Sequence, residues 1–219
     1  MTEPDFLATT RAFYDAIAIE YTDRFRDAMD SMPTDRAVLA LFADLVRAEG
    51  PDARTAELGC GPGRVTQHLH GLGLDVCGID LSPRMVELAR AAYPEVPFAV
   101  GSLFDLPFED GELTGAVAWY SIIHTPAERL PEVFAEFARV LAPGGRLLVA
   151  FQVGDEPLRL EQPFGHPVSL DFRRLRPEHV EELAREAGLP VTCRTVREPD
   201  GEEKVPQAYL LARKPEAGS

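Results

Sequence analysis

Three glycines at alternate positions in Thr55-Ala56-Glu57-Leu58-Gly59-Cys60-Gly61-Pro62-Gly63 constrain this chain more than any other feature. Inside a strand or helix each would cost roughly 0.5–1 kcal/mol relative to alanine. They belong where the backbone turns sharply and a ligand comes close to it. The apolar residues before them read as a short buried strand, and a helix is expected to start at about Arg64. A strand–turn–helix unit of this kind presents free N–H groups and the positive end of a helix dipole. That favours a ligand carrying a carboxylate, a phosphate or hydroxyls; the bland alternative is a tight connection that binds nothing.

The rest of the chain sets limits on that ligand. At 219 residues one domain is expected, spanning 1–219, with room for a real core. The formal net charge of −14 repels polyanions and argues against nucleic acid as a partner. The densest basic cluster, Arg173, Arg174 and Arg176, reads as a solvated face pairing with Glu178, Glu181 and Glu182; a clamp for an acidic substrate group is the alternative. Cys60, Cys77 and Cys193 are odd in number, widely spaced and without a C-x-x-C pair. They suit a reducing compartment and offer neither a disulfide framework nor a zinc site. The acidic N-terminus is unlike a targeting signal, and no apolar run approaches the ~18 residues of a membrane span. The expectation is a cytoplasmic protein without a membrane partner, as monomer or homodimer.

Along the chain, residues 1–50 read as a helical lid, with apolar stripes through Phe6, Phe13, Ile17, Tyr21 and Phe25 and through Val38, Leu39, Leu41, Phe42, Leu45 and Val46, broken at Met32-Pro33-Thr34. Residues 51–153 alternate strand and helix patterns. Strands are expected at 74–80, at 96–101, ending at 117–120, and at 146–153. Ser82-Pro83 and Thr125-Pro126 both look like a cap followed by proline at the first helical position. Residues 154–176 hold no clean period and read as an irregular substrate-side cover. A polar helix at 177–187 and strands at 191–197 and 207–213, joined as a hairpin-like end to the sheet, complete the domain over 177–215; residues 215–219 are expected to be loose. Strands separated by helices imply right-handed parallel crossovers and an α/β Rossmann-like fold.

Asp80 sharpens the ligand. It ends the second strand about 20 positions beyond the glycine turn, where doubly wound folds place an acidic residue that accepts from both ribose hydroxyls. Turn and carboxylate together point to a nucleoside cofactor. Dinucleotide enzymes carry G-x-G-x-x-G, whereas the spacing here is G-x-G-x-G after Glu57.

At these residues the chain resembles the class I S-adenosylmethionine-dependent methyltransferases, the small-molecule branch that includes ubiquinone and menaquinone biosynthesis enzymes. Residues 57–63 are similar to the family's first motif and Gly78-Ile79-Asp80-Leu81-Ser82 to its ribose motif. Gly101-Ser102-Leu103 with Asp105-Leu106-Pro107-Phe108 resembles the adenine-binding stretch, Arg139-Val140-Leu141-Ala142-Pro143-Gly144-Gly145 the turn into the fifth strand, and Phe13-Tyr14-Asp15-Ala16-Ile17-Ala18 with Glu20-Tyr21 the lid helix. The resemblance implies a seven-stranded, mostly parallel sheet of order 3-2-1-4-5-7-6 with the last strand antiparallel. It implies S-adenosylmethionine as cofactor, S-adenosylhomocysteine as product and a small-molecule methyl acceptor as partner. It also implies a cofactor site built from Glu57, Gly59, Cys60 and Gly61 of the turn, Asp80 on the ribose, and Leu81, Ser102 and Leu103 around the adenine. The family more often has Asp where Ser102 stands. Tyr14 and Tyr21 would close over the methionine carboxylate, and Trp119 would line cofactor and acceptor.

Methyl transfer from a sulfonium needs positioning and, for some acceptors, a base. His124, just past the fourth strand, is the best-placed histidine, and His166 in the cover is the second candidate; a loop histidine capping the next helix is the competing reading of His124. His68 and His70 lie two apart on a helix and face different sides, so no metal site is expected. The rivals are a nicotinamide-dependent oxidoreductase on the same layered fold and a cofactor-binding protein without turnover.

Overall fold

The computed structural model describes residues 5–216. The acidic first four residues and the end of the expected loose tail lie outside that span. Helix α1 (Asp5–Phe25) is followed by a short 3-10 turn and α2 (Pro33–Arg47), with Pro33 opening the second helix at the expected break. The α2 face is narrower than the stripe read from the sequence. Leu39, Phe42 and Val46 are fully buried, whereas Leu41, two positions off that face, is 45% exposed.

The core alternates as read: β1 (Arg54–Leu58), α3 (Arg64–Gly71), β2 (Asp75–Asp80), α4 (Pro83–Ala92), β3 (Phe98–Val100), β4 (Leu113–Trp119), α5 (Leu130–Val140) and β5 (Leu141–Gln152). A two-stranded hairpin follows, β6 (Leu158–Glu161) and β7 (Ser169–Phe172), then α6 (Pro177–Glu186), β8 (Val191–Arg197) and β9 (Gln207–Arg213). The main sheet runs β3-β2-β1-β4-β5-β9-β8, with β1 to β5 parallel and β9 antiparallel to both neighbours. Leaving out the inserted hairpin, this is the expected order. The winding direction reverses between β1 and β4, which opens a crevice at the carboxyl ends of these strands.

Period-two alternation on β4 and β5 builds the core on both faces. Ala116, Ala118, Leu147, Val149 and Phe151 pack toward Phe134 and Phe137 of α5, while Val117, Leu148 and Ala150 pack toward Phe42 of α2 and Leu69 of α3. Both faces are closed off from water, as a parallel sheet requires.

Three expectations are corrected. Residues 154–176 are not irregular: Leu158 to Glu161 pair antiparallel with Phe172 to Ser169, and Leu160, Leu170 and Phe172 pack against Phe13 and Ile17 of α1. Four-residue strands separated by Pro163 and Pro167 are too short for a period to register. Thr125-Pro126 does not cap α5, because the chain first makes a 3-10 turn at Ala127–Arg129 and the helix begins at Leu130 with Pro131 in its first turn. Ser82 does cap α4, accepting from Met85 N. The arginine cluster does not pair with the glutamates of α6. Arg176 bonds Asp155 across the start of the hairpin, and Arg194 of β8 takes Glu178 and Glu181 instead.

Candidate functional site

A cavity opens at the carboxyl ends of β1, β2 and β4 beneath α1. Its floor is the glycine turn, fixed by Gly59 N and Cys60 N donating to Ile79 O at 2.7 and 3.0 Å. Gly59 has φ +83°, and a Cβ there would stand 2.3 Å from Ser121 Cβ. Gly61, at φ +53°, meets nothing within 4 Å. One glycine lets β1 approach the chain after β4, and the other leaves open space over the main chain.

Asp80 ties the turn to the next helix. Its Oδ2 accepts from Gly61 N at 2.7 Å and its Oδ1 from Ser82 N at 2.8 Å. Burial pushes its carboxyl up to about 6, with the Ser82 and Gly61 amides pulling the other way. Each oxygen keeps a lone-pair direction for a ligand hydroxyl. Leu81, Ser102, Leu103 and Phe104 continue the wall, and Phe6 of α1 meets Phe104 edge-on at 5.6 Å.

Helix α1 is tied across this floor. Asp15 Oδ1 accepts from Ser82 Oγ at 2.5 Å and Arg84 N at 3.3 Å, and Arg11 Nε donates to Leu81 O at 3.3 Å. The same helix carries Tyr14 and Tyr21 into the cavity. Tyr14 Oη lies 2.7 Å from His124 Nε2, and His124 Nδ1 lies 3.4 Å from the Asp171 carbonyl of β7. Burial pushes the imidazole down to about 4 and the Tyr14 phenol well above its ordinary value, so both groups are neutral at physiological pH.

Trp119 ends β4 at the cavity wall with its ring 5.5 Å from Tyr209. Tyr120 follows with φ +55°, a conformation uncommon for a bulky residue. Behind it Tyr209 donates to Asp35 Oδ1 at 2.6 Å and accepts from Arg197 Nε at 2.9 Å.

The cavity therefore brings together Tyr14, Tyr21, Gly59, Gly61, Asp80, Leu81, Ser102, Leu103, Trp119 and His124. Three candidates lie outside it. The Glu57 side chain is buried behind the turn, accepting from Thr66 Oγ1, and burial pushes its carboxyl up to about 8. Cys60 turns its thiol into the packing of Val86, Ala89 and Phe98. His166 sits at the hairpin turn with Nε2 3.1 Å from Glu20 Oε1. Several lining residues went unread in the sequence, Arg64 among them. Arg64 and Ser121 each present a buried polar atom, Nη1 and Oγ, with no hydrogen-bond partner among the described residues. Arg64 follows the last glycine of the turn directly, which was its one available signal.

Residues 56–145 match the family described as a methyltransferase domain. The Methanosarcina mazei structure described as an S-adenosylmethionine-dependent methyltransferase superposes with a TM-score of 0.69 at 17% identity, over 78% of this chain and 97% of that one. Residues 56–145 thus form a methyltransferase domain, on the fold of S-adenosylmethionine-dependent methyltransferases. Among curated relatives, an uncharacterised methyltransferase of Mycobacterium tuberculosis is 36% identical over 121 residues, covering 54% of this chain and 47% of that one. The demethylmenaquinone methyltransferase of Renibacterium salmoninarum is 29% identical over 179 residues, covering 81% and 66%. The chain spans about half the length of the first curated relatives it matches. No described helix is long and apolar enough to cross a membrane.

Proposed function

We propose that the protein transfers a methyl group from S-adenosylmethionine to a small organic acceptor in the cavity beneath α1. The observation that carries this reading is the single cavity in which the glycine turn and Asp80 adjoin Tyr14 and His124. The donor set suits the cofactor. Asp80 has lone pairs for ribose hydroxyls, Leu81 and Leu103 offer apolar faces for the base, and Ser102 supplies a neutral hydroxyl at its edge. The open space over Gly61 admits a ligand against the backbone, and the unpartnered Arg64 Nη1 and Ser121 Oγ are suited to a carboxylate. Tyr14, Tyr21 and Trp119 line the same cavity, and aromatic rings there suit a cationic sulfonium. When bound, S-adenosylmethionine supplies an already activated methyl group, and the chain's task is positioning and exclusion of water.

The names of relatives support a small organic acceptor. A Penicillium expansum relative, 33% identical over 149 residues, is an O-methyltransferase, and a structural neighbour at 18% identity was solved with geranyl diphosphate. The net charge of −14 supports a non-nucleic-acid acceptor, and three free cysteines support a cytoplasmic setting. Thermal shift and calorimetry with S-adenosylhomocysteine test the cofactor; stabilisation by NAD(H) and none by S-adenosylhomocysteine would overturn it. Incubation of a metabolite extract with methyl-labelled S-adenosylmethionine then tests turnover by mass spectrometry. Tight binding with no labelled product would leave a cofactor-binding protein without catalysis.

A further inference from the structure

Tyr14 and His124 stand 110 residues apart and meet in a 2.7 Å hydrogen bond at the cavity wall. The direction of that bond is set from behind. The Asp171 carbonyl near Nδ1 can only accept, so Nδ1 carries the imidazole proton and Nε2 receives the proton of Tyr14. The ring is wedged edge-on between Tyr14 and Phe172, at centroid distances of 5.3 and 4.7 Å. Its turn is pinned to β7 by Arg173 N donating to Ile123 O at 2.9 Å. With its hydrogen committed to His124, the Tyr14 oxygen has only lone pairs to offer the cavity.

We propose that Tyr14 and His124 form a proton relay that takes the proton of an acceptor hydroxyl, so that this site methylates the oxygen of a phenol-like acceptor. The proposal rests on the methyltransferase reading. A lone accepting oxygen satisfies one neutral hydroxyl, whereas an ammonium needs an anion beside it. Asp80, the carboxylate that lines the cavity, is already engaged by two backbone amides. Tyr21, edge-on to Tyr14 at 5.8 Å, and Trp119 line the same cavity and suit a flat apolar body.

The step balances. The acceptor oxygen forms a bond to the methyl carbon as the methyl–sulfur bond breaks, its electron pair staying on sulfur. The acceptor proton moves to the Tyr14 oxygen while the Tyr14 proton moves to His124 Nε2. The positive charge that begins on the sulfonium ends on the imidazolium and leaves to water with the product. A weak base suffices because an oxygen gaining a methyl group becomes strongly acidic, and burial keeps the imidazole unprotonated at neutral pH. Tyr14 is the catalytic residue in this scheme. His124 acts through it.

Two measurements test the relay. In ¹⁵N-histidine NMR of the S-adenosylhomocysteine-loaded protein, His124 is expected as the Nδ1–H tautomer. Tyr14→Phe is expected to shift its Nε2 resonance and raise its titration midpoint, because a hydrogen bond to the neutral ring is lost. The other groups facing the ring, the Asp171 carbonyl of β7 and Arg173 just after it, are unchanged in that variant. With 2-naphthol and 2-naphthylamine as paired probes, naphthol methylation is expected to fall about a hundredfold in Tyr14→Phe. The same fall is expected in His124→Gln, whose amide still accepts from Tyr14 but cannot take its proton. S-adenosylhomocysteine affinity should hold within about threefold in His124→Gln, and the double variant should be no slower than the slower single. Unchanged His124 signals, wild-type rates in Tyr14→Phe, or naphthylamine methylated as fast as naphthol would overturn the relay. Absence of S-adenosylhomocysteine binding in the wild type would instead overturn the methyltransferase reading beneath it.

Discussion

The two ends of the cavity are built by different means. At the cofactor end the turn itself is held locally, with the Asp80 carboxylate reaching Gly61 N across 19 positions and Ser82 N across two. At the acceptor end the contacts are side chains from distant elements. Tyr14 and His124 are separated by 110 positions, and His124 and the Asp171 carbonyl by 47. A ligand held by a turn and one carboxylate can be specified by a short sequence. A ligand held by a lid, a loop and a hairpin is specified only by packing.

If that contrast is right, the largest effects should come from backbone geometry at the cofactor end. Gly59→Ala combines a left-handed conformation with a Cβ 2.3 Å from Ser121 Cβ, and should destabilise by ~2–4 kcal/mol in urea unfolding. Gly61→Ala carries the conformational cost alone, ~1–2 kcal/mol, because its Cβ meets open space. Equal costs at the two positions would mean that the close approach at Gly59 is not what fixes the turn. Asp80→Ala comes next, with S-adenosylhomocysteine binding weakened by ~1–3 kcal/mol in calorimetry. Its carboxyl is pushed up to about 6, so wild-type affinity should decline as pH falls below that value and Asp80 loses its charge. An affinity flat from pH 5 to 8 would remove the carboxylate from the ribose.

The same contrast explains what could be read in advance. The alternation of strands and helices and the cap at Ser82 follow from patterns within single elements, whereas the strand order followed from the family resemblance. The glycine turn and Asp80 were legible from spacing, while Leu81, Ser102 and Leu103 joined them in one cavity as the resemblance implied. The hairpin at 154–176 was missed because its strands are four residues long and its burial comes from Phe13 and Ile17 of α1, far away in the chain. Glu57 and Cys60 belong to the motif yet face away from the cavity, because side chains on a strand alternate and those on a turn diverge. Tyr120 adopts a positive φ with no glycine to announce it, held among Trp119 and Tyr209. Such a conformation is set by tertiary surroundings.

Glu57 offers a subtler test, since it is in the motif but not in the cavity. Its carboxyl is pushed up to about 8 by burial, above the unfolded value of roughly 4.5. The folded state therefore binds the proton more tightly. The resulting stability is complete below roughly pH 4.5 and is lost as pH rises through about 8. Glu57→Gln keeps an acceptor for Thr66 and never ionises. The variant should match the wild type at pH 5 and exceed it at pH 9 by ~1–2 kcal/mol, with S-adenosylhomocysteine affinity at pH 7 little changed. A large loss of affinity would return Glu57 to the cofactor site.

The smallest expected effect marks the outer boundary of the acceptor end. His166 joins the hairpin turn to α1 through Glu20, with both side chains substantially in water, at 33% and 42% exposure. Solvent screens such a pair, and the ring does not reach the cavity. His166→Ala should leave the melting temperature unchanged and turnover within about twofold of wild type, since exposed pairs contribute little. The useful comparison is with Tyr14→Phe, which alters one oxygen on the same helix at a buried position. If His166→Ala instead slowed turnover about tenfold while S-adenosylhomocysteine affinity held, the acceptor would have to reach the hairpin turn. The side chains that grip it would then extend from Tyr14 along α1 to Glu20, rather than stopping at the His124 ring.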